Sequence, residues 1–196
     1  MRVIGVSGVP GTGKTSLART LSEYLEIPMI NLSDYTINNM LVIAYDPSTQ
    51  SYIVDEERLR QSVLELYRSR GPLVIESHYV EVVPREIFEV VFVLRRAPDE
   101  LLNVLLSRGW SGRKVAENIE AELLSVCTVN AVEELGEDLV IEVDVSGRDT
   151  SDVAREVIDV LFGDRPAYYG HRIDWLSILS DDRIEKVIEF IEKNGE

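Results

Sequence analysis

Eight residues near the amino terminus carry the densest chemistry in the chain. Gly8-Val9-Pro10-Gly11-Thr12-Gly13-Lys14-Thr15 follows the spacing glycine, four residues, glycine, lysine, then serine or threonine. That spacing suits a nucleoside triphosphate. Glycines let backbone N–H groups turn inward and approach phosphate oxygens without a Cβ in the way. Lys14 has the length to reach the β- and γ-phosphates, and the Thr15 hydroxyl suits Mg²⁺.

Three further segments could complete such a site. Val74-Ile75-Glu76 ends an apolar run in a carboxylate, the position from which a neighbouring strand steadies Mg²⁺. The alternative for Glu76 is a solvated acid at a strand end. His78 lies two residues on, on the same side of an extended chain. It could orient a water or a substrate oxygen, or serve only as an exposed or structural histidine. Arg95 and Arg96 follow the run Val90 to Leu94, at the strand edge where ligands bind in open sheets. Arg95 is the cation expected to stabilise a moving phosphoryl group. Arg108-Gly109-Trp110-Ser111-Gly112-Arg113-Lys114 is a basic segment that reads as a lid over phosphates, or as a plain helix connection.

The elements that must hold these residues alternate between apolar runs and helical patterns. Strands are expected at Val3 to Ser7, Pro28 to Leu32, Leu73 to Glu76, Val90 to Leu94 and Asp138 to Val145. Helices are expected at Gly13 to Leu25, Asp55 to Arg70, Asp99 to Ser107, Thr150 to Phe162 and, unbroken, Ser111 to Leu135. The stretch from Asn31 to Ser51 reads as polar and irregular. This β-α alternation implies an α/β fold, a five-stranded parallel sheet with helices on both faces. After Gly163 the pattern changes to a linker and one amphipathic helix, Asp181 to Asn194. Asp181 or Asp182 would cap it, and Ile184, Val187, Ile188 and Ile191 would be buried.

Composition narrows the partners. Of 196 residues, 45% are hydrophobic and 28% charged, which suits a globular core. Twenty Lys and Arg against 35 Asp and Glu give a net charge of −15, which argues against general nucleic-acid binding. No run approaches a membrane span, and the first residues lack a signal-peptide pattern, so a cytoplasmic location is expected. The single cysteine, Cys127, sits in a helical apolar pattern and reads as a small core residue. His171 has no identifiable partner in the sequence.

Several of these segments together resemble the adenylate kinase isoenzyme 6 family, a branch of the nucleoside monophosphate kinases. The resemblance rests on the Gly8–Thr15 loop, Val54-Asp55-Glu56-Glu57-Arg58-Leu59, Glu76-Ser77-His78 with Pro84, and Phe92-Val93-Leu94-Arg95. It rests above all on Arg108-Gly109-Trp110-Ser111 and Glu117-Asn118-Ile119-Glu120-Ala121-Glu122. It covers roughly residues 1–162. It implies a kinase domain over 1–163 with an acceptor part near 31–54 and a lid near 108–118; the helical extension read over 164–196 lies outside the resemblance. The resemblance further implies ATP and Mg²⁺ as cofactors, phosphate binding by Gly11, Gly13, Lys14, Thr15 and Ser16, and ATP binding by Arg108. Arg148 would lie near the nucleotide base, and Asp34 could contact the acceptor. The implied reaction moves the γ-phosphoryl of ATP to AMP, beside ATP hydrolysis. The family is also linked to small-subunit ribosome maturation through the ribosomal protein uS11. Two departures stand out: the family often has Asp where Glu76 stands, and residues 31–54 contain no Lys or Arg.

Overall fold

The computed structural model describes residues 1–47 and 51–195. Five parallel strands form the central sheet: β1 (Val3–Ser7), β2 (Met29–Asn31), β5 (Val74–Glu76), β6 (Phe88–Arg95) and β7 (Val140–Asp144). Their spatial order is β2-β5-β1-β6-β7. A separate antiparallel hairpin pairs β3 (Val42–Asp46) with β4 (Ser51–Val54).

Strand alternation sorts the core into two layers. Ile4, Val6, Phe92, Leu94, Ile141 and Val143 face α1 (Lys14–Leu25) and α7 (Thr150–Phe162). Val3, Ile75, Val91, Val93 and Val140 face the other way. There they meet α3 (Glu56–Arg70), α4 (Pro98–Ser107), α5 (Gly112–Leu123) and α6 (Val126–Leu135). Both faces of the sheet are therefore covered, as a parallel sheet requires.

Local chemistry sets several boundaries. Asp55 caps α3 by accepting from the Arg58 N–H at 3.2 Å, and Ser111 caps α5 by accepting from Lys114 N–H at 3.3 Å. Gly163 closes α7 in the left-handed conformation.

Three expectations are corrected. The helix from Ser111 to Leu135 is broken at Ser125, which takes a left-handed φ of 58°. Its hydroxyl accepts from the Arg95 guanidinium at 2.9 Å, a tie across 30 residues of sequence that compensates the strained backbone. The segment after Asn31 is ordered: α2 (Leu32–Asn38) and the hairpin occupy it. Within that stretch, Ser48 lies outside the described residues. Finally, Ser180, not Asp181 or Asp182, stands at the N-cap of α9 (Asp181–Asn194).

The last helices pack on the core. Val187 is fully buried, while Ile184 and Ile191 are half-buried and Ile188 is exposed. The expected four-residue stripe thus buries mainly at Val187. α9 lies against α4 and α5, and Trp175 of α8 (Trp175–Ile178) is buried beside Ala97 and Leu179. Among the described residues no helix is long and apolar enough to cross a membrane.

Candidate phosphate-transfer site

The loop after β1 wraps back on itself before α1 begins. Gly8, Gly11 and Gly13 all have positive φ. A Cβ at Gly8 would run into the carbonyl oxygen of Leu94, and one at Gly11 would come within 2.7 Å of Leu101. Only glycine lets the loop lie this close to the sheet and to α4. The Thr12 hydroxyl donates to the Val9 carbonyl at 2.9 Å and tightens the turn. No side chain caps α1, so its first N–H groups remain for a ligand.

Around this loop lies a cleft of about 280 Å³. Gly11, Gly13, Lys14, Thr15 and Ser16 line it, with Glu76, His78 and Arg108 on the other walls. Gly8 does not line it but seats the loop from behind. With Asn31 and Ser33, the fold thus brings together residues from four separate segments of the chain.

Lys14 is largely removed from water, and this burial lowers its pKa, while Glu76 nearby raises it again. Its ammonium donates to the Val9 carbonyl at 3.2 Å. Among the described residues no carboxylate lies within ion-pair distance of it. Glu76 is 2% exposed and accepts from the Thr15 hydroxyl at 3.0 Å and from the Asn31 amide. Strand register explains the second bond: Asn31 of β2 stands opposite Glu76 of β5. A hydroxyl and a carboxylate in contact at a phosphate cradle fit Mg²⁺, which takes few protein ligands and completes its shell with water and phosphate. The longer Glu in place of Asp reaches Thr15 without difficulty.

His78 stands at the cleft mouth with one side open to solvent. The walls that strip water from its other side, and then the Lys14 charge, push its pKa down to about 4. It is a neutral imidazole at pH 7, able to hydrogen bond but a weak base. Its carbonyl accepts from the Cys127 thiol at 3.4 Å. Burial pushes that thiol up to about 12, so Cys127 is an inert core residue.

Arg108 ends α4 and overhangs the cleft. Trp110 beside it carries Arg108 and Lys114 against its ring, at 5.8 Å and 4.5 Å from the centroid. Next to the loop a smaller hollow is lined by Thr12, Gly13, Leu17, Arg96 and Arg148. Glu156 holds Arg148 at 2.7 Å and the Asp144 carbonyl accepts from it at 2.9 Å.

Arg95 is the clear correction. Its guanidinium is 1% exposed and turned away from the cleft. It binds Glu122 at 2.8 Å, and also Glu142, Ser125 and the Glu122 carbonyl. Successive residues at a strand end point to opposite sides, so Arg96 lines the hollow beside the phosphate loop and Arg95 turns to the interior. Asp34 is exposed at the start of α2, with its N–H bound by the Asn31 side chain; Asn31 and Ser33 line the cleft beside it. Asn31 and Ser33 are contributors the sequence did not assign, while Trp110 and Arg96 were named only as members of their segments. Strand register identifies Asn31, and strand parity separates Arg96 from Arg95. His171, assigned no partner, bonds Ser125 Oγ at 3.0 Å.

A second cleft of about 380 Å³ opens beyond Tyr79, whose ring meets that of His78 edge-on at 4.7 Å. Val54, Tyr79, Glu81, Asn130 and Arg60 line it, with Glu56, Glu133 and Glu134. Arg60, from α3, is its one lining cation among the described residues.

Comparison with known proteins agrees with this geometry. A family model described as "AAA domain" matches residues 4–125. A protein of Saccharolobus solfataricus named "Putative adenylate kinase" is 37% identical over 191 residues, covering 97% of this chain and 95% of that protein. One of the same name from Methanococcus maripaludis is 31% identical, covering 89% and 95%. The relationship therefore extends through the C-terminal segment, beyond the residues 1–162 expected from the motifs. Thymidylate kinase of Candida albicans shares the fold, with a TM-score of 0.55 at 14% identity over 87% of this chain and 98% of that one. Shikimate kinase of Bacteroides thetaiotaomicron does too, with a TM-score of 0.52 at 14% identity over 82% and 98%. With its phosphate loop, sheet order and near full-length relatives, the chain belongs to the archaeal adenylate kinase-like family of P-loop nucleotide kinases, and it is a phosphotransferase.

Proposed function

We propose that the protein is a Mg-ATP-dependent adenylate kinase that moves the γ-phosphoryl of ATP to AMP and also hydrolyses ATP slowly. The observation that carries this reading is the union of Lys14, Thr15, Glu76, His78 and Arg108 around one cleft, with a second cleft directly beyond His78 and Tyr79.

The loop N–H groups and the α1 terminus would hold the β-phosphate, and Ser16 adds a hydroxyl at the cleft wall. Lys14 and Arg108 would face the charge that builds on the γ-phosphoryl oxygens and the departing ADP. Thr15, and Glu76 through water, would hold magnesium, whose charge would offset that of the phosphates. Arg148 and Arg96 would flank the base. An AMP phosphate oxygen attacks the γ-phosphorus, the bond to the bridging oxygen breaks, and two ADP result. The attacking oxygen of a phosphate dianion has no proton to lose, its second pKa being about 6. A neutral His78 can therefore orient it without acting as a base. Water must lose a proton, and a ring with a pKa near 4 serves that poorly, which favours transfer over hydrolysis. The acceptor part without Lys or Arg would borrow its cation from Arg60 on α3.

A second reading is favoured by the acceptor-side cleft, where four glutamates surround one arginine. On this reading the protein is an ATPase that changes its grip on a basic ribosomal protein, uS11, during small-subunit maturation in the cytoplasm, with residual kinase activity. Acidic walls and a chain charge of −15 suit a basic partner. One panel separates the readings: ADP production from ATP with AMP, CMP, UMP, GMP or water as acceptor, with and without the ribosomal protein. Fast ADP formation with AMP supports the kinase. ATP loss that depends on the basic protein and not on AMP supports the second reading. No turnover in any arm would overturn both.

A further inference from the structure

The C-terminal segment touches the helices that flank the lid at three points. At the start of α4, Arg183 of α9 forms a two-pronged pair with Asp99, at 2.6 and 2.8 Å. At the other end of α9, Asn194 sits so close to Gly112, the first residue of α5, that a Cβ there would strike its amide. At the far end of α5, the Trp175 indole N–H donates to Glu122 at 2.8 Å in a buried contact. The lid residues Arg108 to Ser111 join α4 to α5. The segment after Gly163 therefore grips the helix leading into the lid and both ends of the helix leading out.

The Trp175 contact also reaches the nucleotide side. The same Glu122 oxygen that accepts from Trp175 accepts from the Arg96 backbone N–H at 3.2 Å. The Arg96 side chain lines the hollow beside the phosphate loop. Two buried carboxylates secure the strap that carries Trp175: Glu142 accepts from the N–H groups of Arg172 and Ile173, and Arg95 joins Glu142 to Glu122. Buried ionic groups with several partners fix one geometry rather than many.

We infer that the C-terminal segment is a brace that sets the position of the lid, with Trp175 and Arg183 acting as positioning residues for Arg108. The inference rests on the reading of the Arg108 cleft as the ATP site, though not on which acceptor receives the phosphoryl group. The brace holds α4 and α5 at a fixed separation, so Arg108 stands over Lys14 before nucleotide arrives. Less ordering is then left for ATP to impose, which strengthens its binding.

The test is a coupling cycle read by calorimetric Mg-ATP binding on the full chain. Trp175→Phe keeps an aromatic ring, removes the N–H donor and leaves part of the indole's buried volume unfilled. It is expected to weaken Mg-ATP binding roughly 3- to 10-fold, the worth of one buried hydrogen bond. In an Arg108→Ala background the same substitution is expected to cost less than about 1.5-fold, because the residue it positions is gone. Arg183→Met, at the exposed end of the brace, serves the same cycle and is decisive if Trp175→Phe does not fold. Equal losses in both backgrounds, or none in either, would overturn the brace. Absence of Mg-ATP binding in the unaltered protein would overturn the ATP-site reading instead.

Discussion

Lys14 and Arg95 are both cations withdrawn from water, and they have opposite surroundings. Lys14 has a single carbonyl on its ammonium and a cleft in front of it. Arg95 is saturated: two carboxylates, two hydroxyls and two carbonyls take its N–H groups. A buried charge without its counter-charge is costly unless a ligand supplies one. A fully paired charge has nothing left to give a substrate. The first arrangement marks a binding site and the second a joint of the fold.

Substitution should separate the two. Lys14→Ala is expected to leave the melting temperature within a few degrees and to lower kcat/KM for ATP by at least about 1,000-fold, or ~4 kcal/mol of transition-state stabilisation. Near-normal turnover would remove the cleft from consideration. Arg95→Met should do the reverse. It strands Glu122 and Glu142 in the interior, at a cost of about 3–5 kcal/mol of stability. For a domain of this size that lowers the melting temperature by roughly 10 °C. Mg-ATP affinity measured well below that transition should change far less than in Lys14→Ala. An Arg95→Met protein that melts normally but fails to bind nucleotide would reverse the assignment.

That contrast also shows what the chain's order of residues can reveal. The phosphate loop was legible because its chemistry is local: glycines, lysine and threonine act within eight consecutive residues. The five-stranded parallel sheet was legible because its strands are short apolar runs between capped helices. Arg95 was misassigned because one step of strand parity decides which side a residue faces, and the last residue of β6 can be recognised only once its register is known. Asn31 was missed for a related reason, since it meets Glu76 only through the pairing of β2 with β5. The break at Ser125 has no local cause. A left-handed serine within an apolar helical pattern is held there by Arg95 from a distant strand. The C-terminal helix was visible as a pattern, but not the three points at which the C-terminal segment grips the helices flanking the lid.

A smaller effect sharpens the comparison on the acceptor side. His78 lines the cleft but is not among the groups that cradle phosphate. His78→Ala is expected to lower AMP-dependent ADP formation about 10-fold while Mg-ATP affinity stays within about twofold. The measurement pairs a steady-state assay of ADP formation with calorimetry. Unchanged turnover with a lowered melting temperature would make His78 a structural residue only.

The finest test asks whether Lys14 and His78 feel each other. His78 is held near 4 by loss of water and by the Lys14 charge, against an ordinary value of 6.5. Between those values the unfolded chain binds the proton and the folded one does not. Stability from this group is therefore complete above pH 6.5 and is lost as pH falls through the window toward 4. The chain has only two histidines, so proton NMR resolves both, and His78→Ala assigns them. One ring should titrate below pH 5. In Lys14→Ala the repulsive charge is gone, and that midpoint should rise. The desolvation that the walls impose remains, so the rise should stop short of 6.5. A midpoint that does not move would mean that the two residues do not share a cleft in solution, and the joint role assigned to them around the phosphates would fall with it.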